Sequence, residues 1–249
     1  MKIMIFDTET TSLNKPFCYN VGYVIADTDT KEIIEAKDFV AEQIWHNLAL
    51  FSTAYYAEKR QLYVKDMRSR KTRMMKFGRI CQEMIRDIKK YNIQMAFAYN
   101  SDFDERVFDF NCDWFKCINP FDTVEIKDIR GFAHHFIIDD EYKEFCEENN
   151  FFSDSGNYST TAECMYRFIT DNPDFIEDHT ALSDSTIEWT ILDYSVFLGA
   201  DLNKDYKAFR SIPRKIEKTL KIVKDKKTIA EFDCEGYTVY KKKDTIKLK

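Results

Sequence analysis

The sequence predicts an α/β fold that carries a small appendage at its C-terminal end. Segments of strand length and character lie at 3–6, 21–26 and 35–40, and longer segments further along have apolar residues at helical spacing. The chain has 249 residues and is 44% hydrophobic, which is enough for one large domain with a sizeable core. We therefore predict a main domain over 1–210 and an appendage over 211–249.

The first three strands are predicted to form an antiparallel meander. Ile3–Phe6 is a short apolar run that suits a buried strand, and Val21–Ala26 and Glu35–Val40 are predicted to be the next two strands. Turn residues Asp27 and Asp29 separate the second strand from the third. Because short connections join antiparallel neighbours, we expect the three strands to pair in sequence order.

A helical region is predicted from about residue 42 to residue 91. It has no proline and a single glycine, Gly78. Four apolar residues recur there at helical spacing, namely Ile80, Met84, Ile85 and Ile88. The segment Lys59–Lys90 contains twelve Lys or Arg residues against three acidic ones, a net charge of +9. We interpret the region as a basic insertion that contacts a phosphate backbone, the alternative being a solvated helix face.

The next part of the chain is predicted to continue with a strand and a helix. Met95–Tyr99 is a strand-like apolar run. Asn100–Asp102 then offers helix-capping side chains before a helix over Phe103–Phe110. Asn119–Thr123 has the composition of a turn that leads into another strand or helix.

The remaining segments predict two more helices and a hairpin. The helices are expected over Thr160–Ile169 and Thr180–Leu198, with Gly199 placed to end the second. In the appendage, Thr228–Phe232 and Tyr237–Tyr240 flank a Cys-Glu-Gly turn, which predicts a β-hairpin.

Composition argues against membrane insertion, export and a disulfide scaffold. No apolar run approaches the roughly 20 residues that span a bilayer, and Asp7 interrupts the N-terminal apolar run too early for a signal peptide. The seven cysteines form no Cys-x-x-Cys pair, and Cys112 and Cys117 have no second Cys or His pair placed to complete a zinc site. We therefore expect a cytoplasmic protein with reduced thiols and no membrane partner, a reactive cysteine being the alternative.

Asp7 and Glu9 follow directly from the first predicted strand. Side chains alternate along a strand, so these two carboxylates point to the same face. At such close range they repel each other unless a cation lies between them. Hard carboxylate oxygens suit Mg²⁺ or Mn²⁺, and the alternative is an exposed acidic turn.

Two later segments place further titratable groups next to predicted elements. Asp104 follows the strand-like run that ends at Tyr99, with Asp102 as a rival carboxylate. His179 stands five residues before Asp184, which opens the long helix. A plain helix N-cap is the alternative for this third segment.

Together the three segments resemble the motifs of the DEDDh subgroup of the DEDD superfamily of 3′–5′ exonucleases, to which the proofreading subunit of bacterial DNA polymerase III belongs. The first motif is Asp-Thr-Glu-Thr-Thr at 7–11, and the second is Asn-x-x-Phe-Asp, whose Phe-Asp order favours Asp104. The third is His-x-Ala-x-x-Asp, from His179 to Asp184. Where the family usually has glycine after the first motif, this chain has Ser12.

This resemblance implies a ribonuclease H-like mixed sheet flanked by helices, with two bound Mg²⁺ or Mn²⁺ ions. It implies that Asp7, Glu9 and Asp184 surround the first ion, that Asp7 also binds the second, and that Asp104 supports the second through water. His179 would take the proton from the attacking water. Four further residues would contact the terminal nucleotide: Thr8, Leu13, Asn100 and Phe103.

The implied function is removal of nucleoside 5′-monophosphates from a 3′ end. Single-stranded DNA is the favoured substrate because the Asp-Thr-Glu-Thr-Thr form resembles the proofreading branch. The alternatives are an enzyme that trims RNA 3′ ends and, in another class, a nucleic-acid-binding module without activity. The appendage would bind a polymerase or other replication partner, or nucleic acid itself.

Overall fold

The computed structural model describes residues 1–214 together with the backbone of 219–224 and 227–233. Within these residues six strands form one sheet in the order β4-β3-β2-β1-β5-β6. In chain order the strands are β1 (Lys2–Thr10), β2 (Cys18–Asp27), β3 (Ile33–Ala41), β4 (Thr72–Met75), β5 (Met95–Ala98) and β6 (Glu125–Asp128). The predicted meander is confirmed, because β1 pairs antiparallel with β2 and β2 antiparallel with β3. The pairs β1–β5, β5–β6 and β3–β4 are parallel, so the sheet is mixed, as the resemblance implied.

Helices cover both faces of this sheet. In chain order they are α1 (Glu42–Trp45), α2 (Leu48–Phe51), a 3₁₀ turn (Ala57–Lys59), α3 (Arg60–Arg68), α4 (Phe77–Tyr91), α5 (Ser101–Phe115), α6 (Ile129–Phe136), α7 (Asp140–Asn149), α8 (Ala162–Ile169) and α9 (Ala181–Phe197). Within the described residues, no helix combines the length and apolarity needed to cross a bilayer.

Alternate residues of β1 belong to two separate cores. Met4 and Phe6 pack into the core that contains α4 and α5, whereas Ile3 and Ile5 pack into the core that contains α6 and α9. This is the expected consequence of the two-residue period of a strand that is covered on both faces. Because β1 is central, the residues that follow its apolar run come close to helices from both layers.

The predicted helical region over 42–91 is wrong at one place. Thr72–Met75 forms β4, an edge strand that pairs in parallel with Asp38–Ala41 of β3. The run is short and follows three successive basic or polar residues, so its local composition does not indicate a strand. Pairing with β3, which lies far away along the chain, decides its conformation. The amphipathic helix predicted from Ile80 onward is confirmed as α4.

One strand of the predicted C-terminal hairpin is confirmed, and the other stays a prediction. Lys227–Asp233 forms a strand, β8, as predicted from Thr228. It pairs antiparallel with β7, Thr219–Lys224, which the sequence analysis missed. The predicted second strand, Tyr237–Tyr240, and the turn before it lie outside the described residues.

Candidate active site

Two carboxylates at the end of β1 meet a third from α9. The ligand oxygens of Asp7, Glu9 and Asp184 all lie within 4.8 Å of one another. Asp7 and Glu9 are half-buried on the strand face that α9 covers, and Asp184 is buried in the first turn of that helix. The structure thus brings together carboxylates that are separated by about 180 residues of chain.

A glycine on β2, Gly22, allows α9 to approach the sheet closely. A Cβ atom at Gly22 would stand 2.1 Å from the backbone nitrogen of Leu182, far inside van der Waals contact. The hydroxyl of Ser185 donates to the carbonyl oxygen of Gly22 at 3.0 Å. Glycine is therefore required here so that the first turn of α9, with Asp184, lies against the sheet.

Asn20, two residues earlier on β2, holds the start of α9 by a second contact. Its Oδ1 accepts hydrogen bonds from the backbone nitrogen of Ala181 at 2.8 Å and from the hydroxyl of Tyr63 at 2.9 Å. Its Nδ2 donates to Asp38 Oδ1 at 2.6 Å. The buried amide therefore satisfies a helix-end N–H and links α9 to β3 and α3.

The fourth carboxylate comes from α5 on the other face of the sheet. Asp104 is 2% exposed and accepts a hydrogen bond at 2.5 Å from the hydroxyl of Thr8. Asp102, the rival from the sequence analysis, is exposed, so Asp104 is the carboxylate that points to the site. The hydroxyl of Thr8 holds Asp104, and the predicted contact of Thr8 with substrate stays a prediction.

The turn that leads into α5 differs from the sequence prediction. Asn100 is the N-cap residue, but it adopts a left-handed conformation with φ of 66°, and within the described chain its side chain makes no capping hydrogen bond. Its backbone nitrogen donates instead to Asp128 Oδ1 at 2.8 Å. The turn is therefore fixed by β6 rather than by local capping.

The carboxylates of the site have raised pKa values because they are withdrawn from water and repel one another. Burial and then Asp104 raise the pKa of Asp7 well above its usual range. Burial raises the pKa of Glu9 to about 8, that of Asp104 to about 7 and that of Asp184 to about 9. Asp184 Oδ1 is buried and has no hydrogen-bond partner among the described residues. This donor set fits a hard divalent cation, whose charge would offset the repulsion.

Two further acidic residues at the site were missed by the sequence analysis. Glu188 is 3% exposed, lies one helical turn after Asp184, and has an Oε2 atom without a partner in the described part of the chain. Burial, with Asp104 and then Asp184 nearby, raises its pKa well above the usual range. Glu177 lies within 4.8 Å of both His179 and Asp184, counted between ligand atoms, and burial raises its pKa to about 7. The four-residue helical spacing from Asp184 was the signal that could have indicated Glu188.

His179 lies at the rim of this group with a part-exposed side chain. Its Nδ1 atom is 3.4 Å from Glu177 Oε2, and its ring stacks on that of Tyr56 with 4.3 Å between centroids. Its backbone is left-handed, with φ of 47°, a conformation that costs energy for a residue with a side chain. Burial and then Lys59 lower the pKa of His179, so its imidazole is neutral at neutral pH.

Residues of the basic stretch Lys59–Lys90 differ in their surroundings. Lys59 lies at the site: its Nζ donates to the backbone oxygen of Asp178 and stands 4.7 Å from the ring centroid of Tyr56. Arg73 and Arg86 form ion pairs with Glu83 on α4, at 3.7 and 2.6 Å. The contact between the stretch and a phosphate backbone stays a prediction.

Two further residues predicted to contact substrate are Leu13 and Phe103. Leu13 is 74% exposed after the end of β1. Phe103 is partly buried, with the guanidinium carbon of Arg106 5.5 Å from its ring centroid. Tyr19 donates to Glu9 Oε2 at 3.4 Å and orients that carboxylate.

The fold is similar to solved structures of 3′-exonucleases. The nuclease domain of 3'hExo, a DEDDh family member bound to rAMP, is 15% identical, with 85% of this chain and 97% of that chain covered and a TM-score of 0.55. A full-length 3′-exonuclease is 16% identical, with coverage of 86% and 90% and a TM-score of 0.56. A third structure, of a 3′-exonuclease that recognises the 3′ end of histone mRNA stem-loop, is 11% identical, with coverage of 85% and 74% and a TM-score of 0.51.

No protein-family model matches the chain, and no curated protein matches it. At these identities the three structures establish the fold, and they confirm the ribonuclease H-like α/β class predicted from the sequence. The narrower resemblance to the proofreading subunit of bacterial DNA polymerase III gains no support from them.

Proposed function

We propose that this chain is a divalent-metal-dependent 3′–5′ exonuclease that releases nucleoside 5′-monophosphates. The observation that carries the proposal is the convergence of Asp7, Glu9 and Asp184 within 4.8 Å, on a fold similar to that of DEDDh nucleases. The three come from the first and third motifs, and the second motif supplies the buried Asp104 beside them. A structural role would have given Asp184 Oδ1, which is buried without a partner among the described residues, a donor from the chain itself.

Asp7, Glu9 and Asp184 are the residues that would hold one Mg²⁺ or Mn²⁺, and Asp7 and Asp104 would hold a second. When bound, such ions lower the pKa of water and stabilise charge on a phosphate and its leaving oxygen. Glu188, buried near Asp104 and Asp184, is a further carboxyl group at the same place. Thr8 and Tyr19 keep Asp104 and Glu9 in position through the hydrogen bonds described above.

His179 is the residue proposed to accept the proton from water. A general base must be neutral to act, and burial and Lys59 keep the pKa of His179 below its usual value. Stacking on Tyr56 and the contact with Glu177 orient its ring. The part-exposed position leaves one edge open to a substrate that reaches the carboxylates.

The substrate is proposed to be a single-stranded 3′ end. The form of the first motif favours DNA. A specific observation favours RNA as the second candidate, because the structures with this fold include one bound to rAMP and one that concerns a histone mRNA stem-loop. DNA and RNA oligonucleotides of one sequence, compared under the same conditions, separate the two, since the 2′-OH is the difference that a site can read. A polymerase partner for 211–249 remains a prediction.

The direct test is digestion of a 5′-labelled oligonucleotide with Mg²⁺ or Mn²⁺. A ladder that shortens from the 3′ end, with mononucleotide products and full inhibition by EDTA, is the expected result. Asp104→Ala should abolish the ladder, and Asp102→Ala is its matched control, because Asp102 lies two residues away but is exposed. Equal activity in the two variants, or digestion that survives EDTA, would contradict the proposal.

A further inference from the structure

Three thiols that are scattered in the sequence meet in the core on the α4 and α5 side of the sheet. Cys81 lies in α4, Cys112 near the end of α5, and Cys117 just beyond that helix. Cys81 Sγ is 3.9 Å from Cys112 Sγ and 4.0 Å from Cys117 Sγ. All three sulfur atoms lie within 4.8 Å of one another. Sequence spacing alone offered Cys112 and Cys117 no further ligand, and the fold supplies Cys81.

The backbone turns after α5, and this turn places Cys117 beside the other two thiols. Lys116 ends α5 in a left-handed conformation with φ of 52°, and the nitrogen of Cys117 donates to the carbonyl oxygen of Cys112 at 3.0 Å. On α4, a Cβ atom at Gly78 would lie 3.2 Å from Cys117 Cβ, which is tighter than ordinary contact. Glycine at this position therefore makes room for Cys117 to face Cys81.

The two sulfur separations from Cys81 are those of ligands around one metal ion, and the third lies within 4.8 Å. Zinc–sulfur bonds are about 2.3 Å long, so two sulfurs on one ion stand about 3.8 Å apart at a tetrahedral angle and about 4.0 Å apart in a trigonal plane. A disulfide needs about 2.0 Å between its sulfurs, so the present spacing is about twice that of a covalent bond. The cluster could accept an ion with little movement of its helices.

We propose that Cys81, Cys112 and Cys117 form a binding site for a thiophilic d¹⁰ cation, Zn²⁺ or Cu⁺. Soft thiolate ligands select these ions over Mg²⁺ and Mn²⁺, so the site is chemically separate from the carboxylates. Each thiol that becomes a ligand releases one proton to solvent as its metal–sulfur bond forms. Cys81 and Cys112 are buried, whereas Cys117 is part-exposed, which provides an entry route and, for Zn²⁺, a position for a fourth ligand from solvent.

The position of the cluster bears on the consequences of binding. The site joins α4 to α5, and α5 carries Asp104 at its other end. An ion held there would stabilise the helix pair, and its binding does not depend on the proposed nuclease activity.

The chain offers an internal control in a second thiol pair. Cys146 Sγ and Cys164 Sγ are 3.9 Å apart, but the third group beside them is the hydroxyl of Tyr142, which donates to Cys164 Sγ at 3.2 Å. A neutral phenol is a poor ligand for a soft cation. Cys146→Ser should therefore keep any binding that belongs to the three-thiol cluster.

The experiment measures metal binding to the reduced full-length protein by competition with chromophoric chelators, with Zn²⁺ in one arm and Cu⁺ in the other. We expect a single ion per chain in at least one arm, a rise in the melting temperature, and three sulfur neighbours at about 2.3 Å by X-ray absorption. Cys117→Ser, at a part-exposed position that tolerates substitution, should weaken binding at least tenfold. Cys146→Ser and Asp7→Asn should bind as the unaltered chain does.

Several outcomes would overturn this site. Absence of binding in both arms is one, and equal affinity in Cys117→Ser and the unaltered protein is another. An X-ray absorption spectrum dominated by oxygen neighbours, with binding lost in Asp7→Asn, would place the ion at the carboxylates instead. Circular dichroism of Cys117→Ser shows whether the variant is folded; should it fail to fold, Cys117→Ala serves in the same assay.

Discussion

Two groups of buried carboxylates lie on helices that pack against the same sheet, and they differ in the hydrogen-bond donors that surround them. Away from the candidate site, Asp87 accepts hydrogen bonds from the hydroxyl of Tyr23 at 2.7 Å and from Lys37 Nζ at 2.5 Å. At the site, Asp184 and Glu188 are also buried, yet each has an oxygen without a partner among the described residues. Both groups have lost water, but only the carboxylates at the site have an oxygen that no donor compensates.

The difference in hydrogen-bond donors indicates the role of each group of carboxylates. A buried charge that is paired and hydrogen-bonded stabilises the fold, whereas an unpaired one destabilises it until something binds there. Asp38 lies between the two groups, since Asn20 and Thr72 donate to it but burial still raises its pKa to about 6. The carboxylates with an unpaired oxygen lie where the three motif segments meet. The free-energy cost of burying them therefore falls at the place proposed to bind cations.

The same chemical change should therefore have opposite effects in the two regions, and the largest effect is expected for Asp184→Asn. Loss of this ligand should reduce nuclease activity by at least about 10³-fold, as expected for a residue essential to catalysis. The metal-free melting temperature should stay the same or rise at alkaline pH, because a neutral amide removes repulsion with Glu9 and Glu177. Steady-state kinetics and differential scanning fluorimetry measure the two effects. Substantial activity together with a lower melting temperature would mean that Asp184 is structural.

His179→Ala should give the next largest effect. Removal of a general base typically reduces turnover by about 10²–10⁴-fold. Divalent-metal affinity should change little, because the carboxylates remain. The unaltered enzyme should lose activity as pH falls through the lowered pKa of His179, and this limb of the pH profile should vanish in the variant. A loss of metal affinity as large as that of Asp184→Asn would make His179 a ligand rather than a base.

Asp87→Asn is the matched substitution in the paired region. It leaves the ammonium of Lys37 without its closest carboxylate, so we expect the free energy of unfolding to fall by about 2–3 kcal/mol. Specific activity of the folded fraction should be unchanged. Chemical denaturation measures the first quantity and kinetics the second. If Asp87→Asn instead lowered activity as Asp184→Asn does, the distinction between the two regions would fail.

The pH dependence of stability should also separate the regions, with a smaller effect. Unfolded carboxyls release their protons near pH 4, whereas the folded site retains them until the pKa values of about 7 for Asp104, about 8 for Glu9 and about 9 for Asp184. Between these limits the folded state binds more protons, so metal-free stability should fall as pH rises from about 4 to about 9. Mg²⁺ should raise the melting temperature more at pH 8 than at pH 6. A metal-free melting temperature that rises across this range would contradict these raised pKa values.

Local sequence was sufficient for much of the framework. The runs that became β1, β2, β3 and β5 are apolar, of strand length and bounded by turn residues, and α9 is a long segment that ends just before Gly199, as predicted. The motif residues were also recognisable, because each follows or opens such an element. Even the preference for Asp104 over Asp102 agrees with the burial seen in the structure.

Other features had no local signal. β4 is a strand because β3 lies beside it, and the helices α6 and α7 were not predicted. Glu177 and Glu188 look like ordinary acidic residues in the sequence, and Lys59 like one of twelve basic residues. Their importance depends on which groups surround them, and that follows from packing between distant segments.

By itself, the sequence determined which residues could carry the chemistry and which elements present them, because strand alternation and helix spacing are set by neighbouring residues. Tertiary structure alone decided what those residues experience. Gly22 allows α9 to pack against the sheet. The resulting burial raises the pKa of Asp184, which is therefore a desolvated carboxylate rather than a helix cap. Likewise, the meeting of α4 with α5 turns separate thiols into a cluster. Desolvation and proximity are properties of the folded chain, so neither can be found in a motif.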